Sequence, residues 1–267
     1  MVTLKSAREI EAMRRSGKVT SQVLTGLMKV VRPGMSTSEL DELAERGIRQ
    51  AGGVPTFKGY NGFPGSICAS VNEEVVHGIP GPRVLRDGDL LSIDIGTTLE
   101  GYVSDSAVTV PVGNISQNAR RLLDVTRECL TVGIAQMQRG NHLGDIGSAV
   151  QAHAERHGYG VVRELVGHGV GRAMHEEPQV PNYGEPGTGM ELRPGLVLAL
   201  EPMITQGGPK IRILGDRWTV VTADGKLAAH FEHTIALTED GPRILTLRDF
   251  AEDPAIEPYR PPQEAIA

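Results

Sequence analysis

Two stretches of this chain recur in the same order, and that echo constrains the fold more than any other feature. VRPGMSTSELDELAERGIRQAGG (31–53) reads as a glycine-marked entry, a Ser/Thr cap and an amphipathic helix with Leu40, Leu43, Ala44, Ile48 and Ala51 on one side. MQRGNHLGDIGSAVQAHAERHGYG (137–160) reads the same way, with Ile146, Val150, Ala154 and His157 in the corresponding register. LRDGDLLSIDIG (85–96) then finds its counterpart in LRPGLVLALEPM (192–203). Gly34 and Gly140 are 106 positions apart, Gly88 and Gly195 are 107 apart, and Asp94 aligns with Glu201. The pattern predicts an α/β chain, more closely α+β, of two pseudo-symmetric halves over about 31–110 and 137–237. Each half is a helix followed by strands. The expected organisation is one domain over 1–247 and a tail over 248–267, rich in proline and acids, with no reading beyond a tether.

Composition excludes several classes. A length of 267 residues suffices for one large core. A net charge of −6 argues against a dedicated nucleic-acid binder, which would show a basic face. Apolar runs such as LVLAL are too short to span a bilayer and no early basic segment leads a long apolar run, so the expectation is a cytoplasmic protein without membrane contact. Cys68 and Cys129 lack metal-knuckle spacing and are read as reduced thiols.

The strands carry acids where a core strand should have none. In LLSIDIG, Leu91, Ile93 and Ile95 share one face and Asp94 lies on the other with Ser92. If TTLEG is the turn and YVSDSAVTV the return strand, Asp94 and Asp105 are directly opposite, about 5 Å apart at Cβ. Like charges so placed repel unless something positive sits between them. For this hairpin alone, a solvated strand edge is the bland alternative. GLVLALEPM places Glu201 at the end of an apolar strand, and KLAAHFEHTIALT places Glu232 on a β-rich strand between Phe231 and Ile235. His168, in GHGVG, sits where glycines allow close backbone approach. One imidazole and four carboxylates form a mostly oxygen ligand set whose four charges balance two divalent cations. Mn(II), Fe(II), Co(II) or Zn(II) suit such donors.

NEEVVHGIP (72–80), Asp94 with Asp105 eleven residues on, GHGVGRAMHEEP (167–178), LALEPM (198–203) and FEHT (231–234) together resemble the type I methionine aminopeptidases, from about Ile10 to about Leu247. The resemblance implies a pita-bread fold with a central antiparallel sheet flanked by helices. It also implies that Asp94, Asp105, His168, Glu201 and Glu232 bind two divalent ions, with Asp105 and Glu232 bridging. The implied reaction removes the N-terminal methionine from nascent chains and peptides with a small second residue, by attack of a metal-bridging hydroxide. His175 would then hydrogen-bond the scissile carbonyl, His77 would stand near the amide nitrogen, and Glu201 would shuttle the proton. A monomer acting at the ribosome exit is the implied setting.

The side-chain pocket implied by the family draws on Tyr60, Phe63, Cys68, Met174 and Trp218, with Phe57 as a further candidate; aromatics and a sulfur suit a thioether. Asp224–Gly225 is expected to close a hairpin that sets Trp218 roughly opposite Glu232. Many relatives carry an aromatic residue where this chain has Met174, which leaves a softer wall. The remaining histidines, His142, His153, His157, His230 and His233, read as surface or packed residues. X-Pro peptidases share such a ligand set but usually carry an extra N-terminal domain, and non-enzymatic modules of this fold lose the ligands that this chain keeps.

Overall fold

Residues 2–248 are described in a computed structural model of the chain. Four helices form the outer layer: α1 (Ala7–Val30), α2 (Thr37–Gln50), α3 (Gln117–Ala135) and α4 (Leu143–Arg156). The sequence echo reappears in their hydrogen bonds. Gly34 N–H donates to the Leu85 carbonyl (2.9 Å) and Gly140 N–H to that of Leu192 (3.2 Å), while Thr37 N–H meets Arg83 and Leu143 N–H meets Met190, each at 3.0 Å. Single bridges join Ser36 to Val84 and His142 to Glu191. The entry to α2 is a capping box: Ser36 Oγ accepts from Glu39 N, and the Glu39 carboxylate accepts from Ser36 N at 2.6 Å. Losing such a cap costs about 1 kcal/mol. In α4, Asp145 returns the same bond to His142 N at 2.6 Å.

The buried stripes are narrower than the sequence pattern suggests. Leu40, Ala44 and Ile48 of α2 are fully buried, as are Ile146, Val150 and Ala154 of α4. Leu43 is half-buried on the flank; Ala51 and His157 fall just past the helix ends, exposed and half-buried respectively. The 3.6-residue period carries the core face only as far as the helix runs.

The strands of the first half are β1 (Val54–Pro55), β2 (Ile67–Val71), β3 (Glu74–Val76), β4 (Leu90–Leu99) and β5 (Tyr102–Pro111). Strand β4 lies between β2 and β5, and α1 packs on β4 and β5. The hairpin register differs from expectation: Leu99 pairs with Tyr102, Gly96 with Asp105, and Asp94 with Ala107. Glu100 (φ 52°) and Gly101 (φ 77°) are both left-handed, which closes a two-residue turn whose twist matches the strands. TTLEG is therefore mostly strand. Asp94 and Asp105 share a face as diagonal rather than directly opposed neighbours.

The second half runs β6 (Gly160–Val161), β7 (Gly167–Gly169), β8 (Glu176–Val180), β9 (Val197–Leu200), β10 (Met203–Thr205), β11 (Ile211–Ile213), β12 (Val220–Thr222), β13 (Ala228–His230), β14 (His233–Thr238) and β15 (Gly241–Ile244). Strands β15, β14, β9, β7 and β8 form one antiparallel sheet; β13, β10 and β6 form another, and β11, β12 and β3 a third. The expected continuous strand through Glu232 is broken. Strand β13 pairs with β10 while β14 pairs with β9, so the chain changes sheet at Phe231–Glu232, and it does so again at Glu201–Pro202 between β9 and β10. Nor does Asp224–Gly225 fold β12 back onto β13. Gly225 turns (φ 71°), but β12 is already paired on both edges, with β11 and β3.

A polar seam joins the halves. Glu232 N–H donates to the Ala107 carbonyl (3.0 Å), Ser106 Oγ donates to the Glu232 carbonyl (2.9 Å), and Thr234 Oγ1 accepts from Asp105 N and donates to the Asp105 carbonyl, both at 2.8 Å. These bonds satisfy the backbone that the strand break would strand in the core, and they bring Asp105 and Glu232 side by side. The tail assigned to 248–267 lies outside the described residues apart from Arg248.

Candidate active site

The glycines of GHG let β7 lie between β8 and β9. A Cβ on Gly167 would collide with the Ala199 carbonyl oxygen, and one on Gly169 with that of Glu177. His168 between them is thus pinned, and its Nδ1 lies 2.9 Å from the Gly169 carbonyl oxygen. Because a carbonyl only accepts, Nδ1 carries the proton and Nε2 presents a lone pair to the acids, 3.8 Å from Asp105 Oδ2 and 3.6 Å from Glu201 Oε1. Ligand atoms of Asp105, His168 and Glu232 lie within 4.8 Å of one another.

Four carboxylates share one cavity of about 190 Å³ with His77, His168, His175 and the expected pocket residues Phe57, Tyr60, Phe63, Cys68, Met174 and Trp218. Its lining contains no lysine or arginine. Asp105 and Glu232 are 3% and 1% exposed. Asp94 Oδ1, Asp105 Oδ1 and Glu232 Oε1 are buried without a hydrogen-bond partner. Burial raises the Asp94 carboxyl to about 7, against hydrogen bonds with Asp105 and Cys68 that lower it. Asp105 is held well above the carboxylate range by burial and then by Glu232 and Asp94; Glu201 by burial, Asp105 and Asp94; Glu232 by burial, Glu201 and Asp94. Desolvated and mutually repelling carboxylates with orphaned oxygens fit divalent cations better than any other partner.

The histidines have different settings. His77 follows β3 with left-handed backbone (φ 60°), a conformation that a non-glycine residue adopts only where its surroundings hold it there. Its ring stands 6.4 Å from that of Trp218, and burial, with His175 second, depresses it to about 4. His168 is likewise lowered to about 4 by burial and then His175. His175 meets the Tyr60 hydroxyl through Nδ1 at 2.7 Å and packs against His168 at 4.3 Å between ring centroids. Its loop is tied down by Glu176, which accepts from Arg172 N (2.9 Å), Ala173 N (3.2 Å) and the buried Lys5 Nζ (2.6 Å).

Two contributors escaped the sequence. Trp218 is positioned by Asp216, whose carboxylate accepts from Trp218 N and Thr219 N (both 2.9 Å) and Thr219 Oγ1 (2.6 Å). The DRWT stretch carries that turn signal. Phe63 meets Trp218 edge-on at 5.1 Å. The second is His230, expected to be a surface or packed residue. It is 1% exposed, neither ring nitrogen has a hydrogen-bond partner, and Nε2 lies 3.7 Å from Glu201 Oε2. Alternation along AAHFEHT, which puts His230 and Glu232 on one face, was the available signal.

The model of metallopeptidase family M24 matches residues 11–239. Methionine aminopeptidase 1 of Bacillus subtilis is 54% identical over 246 residues, covering 92% of this chain and 99% of that protein. The crystal structure of methionine aminopeptidase from Thermotoga maritima superimposes with a TM-score of 0.91 at 44% identity, covering 92% of this chain and 99% of that one. Prolidase from Pyrococcus furiosus, at 20% identity and TM-score 0.76 with 66% of its length covered, shares the fold alone. The chain belongs to metallopeptidase family M24, the pita-bread hydrolases, and within it to the methionine aminopeptidases. Among the described residues no helix is long and apolar enough to cross a membrane.

Proposed function

We propose that this enzyme removes the N-terminal methionine from nascent proteins and peptides with a small second residue, and that Asp94, Asp105, His168, Glu201 and Glu232 would hold two divalent ions. The observation that carries the reading is four carboxylates, Asp105 and Glu232 buried and Asp94 and Glu201 half-buried, three of them with orphaned oxygens, in a cavity walled by aromatics and sulfur with no lysine or arginine. When bound, the ions, Co(II), Mn(II), Fe(II) or Zn(II), neutralise the acids and supply the Lewis acidity that activates water at neutral pH.

The remaining work falls to the chain's own side chains. We assign the Tyr60 hydroxyl as the donor to Nδ1, so that His175 carries its proton on Nε2 and offers it to the scissile carbonyl, where negative charge develops. Glu201, in the cavity beside the other acids, takes a proton from water and returns it to the leaving amine. His77 stands at the rim near the amide nitrogen, neutral at working pH. Phe63, Cys68, Met174 and Trp218, with Tyr60 and Phe57, enclose the methionine side chain. Burial, and after it the charge of Asp94, pushes the Cys68 thiol up, so the sulfur stays neutral and apolar. We infer a monomer acting in the cytoplasm on N-termini as they leave the ribosome.

A small second residue follows from space, because both the terminal amine and the scissile carbonyl must reach the ions the acids would hold, which presses the second side chain against the rim near His77. A displacement of 1 Å can lower the rate about a hundredfold. Peptides Met-Ala-Ser, Met-Val-Ser and Met-Lys-Ser should be cleaved in that order, the last at background. Comparable cleavage of Met-Lys-Ser would replace this reading with a broad aminopeptidase.

A further inference from the structure

We propose a second metal site, outside the active site, in which Glu128 of α3, His153 of α4 and His157 just past the end of α4 bind one late first-row divalent cation, Zn(II) in the first instance. The proposal does not rest on the peptidase reading, since no residue is shared with the cavity. Ligand atoms of the three residues lie within 4.8 Å of one another, all on half-buried side chains at the outer helical layer. His153 and His157 are one helical turn apart, so their rings project from the same side of the α4 terminus, 4.7 Å between centroids. The neighbouring helix supplies the carboxylate, Glu128 Oε2, 2.8 Å from His153 Nε2.

Hydrogen bonding has already prepared His157. Its Nδ1 lies 2.9 Å from the His153 carbonyl oxygen and must be the protonated nitrogen, which leaves the Nε2 lone pair for a cation, the arrangement metal-bound histidines share. Two imidazoles and a carboxylate are the donor set Zn(II) takes with water in a fourth position. A cation there also lies at the C-terminal end of α4, where the helix dipole favours positive charge.

One interaction opposes loading. Arg156 Nη2 donates to His153 Nδ1 at 3.1 Å, which fixes the proton of that ring on Nε2, against Glu128. Binding through Nε2 moves the proton to Nδ1, and the exposed Arg156 guanidinium must then swing aside. Arg156→Gln offers an acceptor to the relocated proton in place of a repelling charge, and should lower Kd about fivefold or more, the worth of one hydrogen bond. The bound ion would clip α3 to α4.

The test uses the full chain, stripped by chelation and dialysed, then given Zn(II) alone. Bound zinc, read by mass spectrometry after removal of free ion, should exceed by one ion per chain that of His157→Gln and of Glu128→Gln, while both variants keep wild-type turnover of Met-Ala-Ser with Mn(II). Zinc-edge anomalous diffraction from wild-type crystals should place a peak between the three side chains, a readout that stands even if a variant misfolds. Equal zinc content in wild type and variants, or an anomalous map without that peak, would overturn the proposal.

Discussion

The Tyr60 hydroxyl stands 2.7 Å from Nδ1 of His175, at the mouth of the cavity that holds the four acids. That contact decides which nitrogen of His175 faces the substrate. Tyr60→Phe keeps the ring against the pocket but removes the partner that holds Nδ1 in place. The loss of one hydrogen bond predicts a fall in kcat of roughly fivefold with KM little changed. Steady-state kinetics on Met-Ala-Ser check it; a rise in KM alone would assign Tyr60 to binding only.

His230 faces the far oxygen of Glu201 at 3.7 Å with no other partner. Glu201 is the proposed proton carrier, so its orientation should depend on that ring. His230→Leu, which takes the polar ring away from Glu201, is predicted to lower kcat about threefold or more, whereas His230→Gln, which keeps a donor facing the carboxylate, should retain most activity. Equal loss in the two variants, with unaltered melting temperature, would remove His230 from the account.

The division of labour among the other histidines is read in metal content. His168→Ala should lose bound metal, since its Nε2 is aimed at the acids. His77→Ala and His175→Ala should keep it while losing most of kcat. Elemental analysis of the three purified variants separates the roles, and equal depletion in all three would show them misassigned.

Stability of the chelated protein should fall as pH rises above neutrality. Asp94 is raised from 3.8 to about 7, and Asp105, Glu201 and Glu232 stand well above their ordinary values of 3.8, 4.5 and 4.5, so their protonated forms favour the fold. That contribution is complete below the unfolded values and is lost as pH rises through the folded ones. His77 and His168, depressed from 6.5 to about 4, and His230, to about 3, act in the opposite sense: their stabilisation is lost as pH falls below 6.5. Above 6.5 they are neutral in both states and drop out, leaving the acids. Melting temperatures at pH 6.5, 7.5 and 8.5 should decline with chelator present, and Mn(II) should restore more at each step. A flat profile in chelator would mean the acids are not desolvated as the structure has them.

Much of this was legible in the chain because it is local or repeated. The echo around Gly34 and Gly140 reappears bond for bond, and GHGVG, LALEPM and FEHT place His168, Glu201 and Glu232 in one cavity. What the sequence hid is set by pairing between distant segments. The register of β4 on β5 turned on Glu100 accepting a left-handed backbone, which no alternation pattern reveals. The sheet changes at Glu201 and Glu232 arise because β9 and β10 pair with different halves of one apolar run. His230 looked like packing because a histidine in an apolar strand usually is, and only the fold puts Glu201 opposite its ring.

The most direct measurement of the central claim is methionine release from Met-Ala-Ser by the chelated enzyme, before and after adding back single metals. Four carboxylates and one imidazole cannot activate water unaided, so release should fall to background on chelation and return with Co(II), Mn(II) or Fe(II). Asp105→Ala and Glu232→Ala should stay at background under every addition while remaining folded. Full turnover by a wild-type sample verified as metal-free would contradict the account.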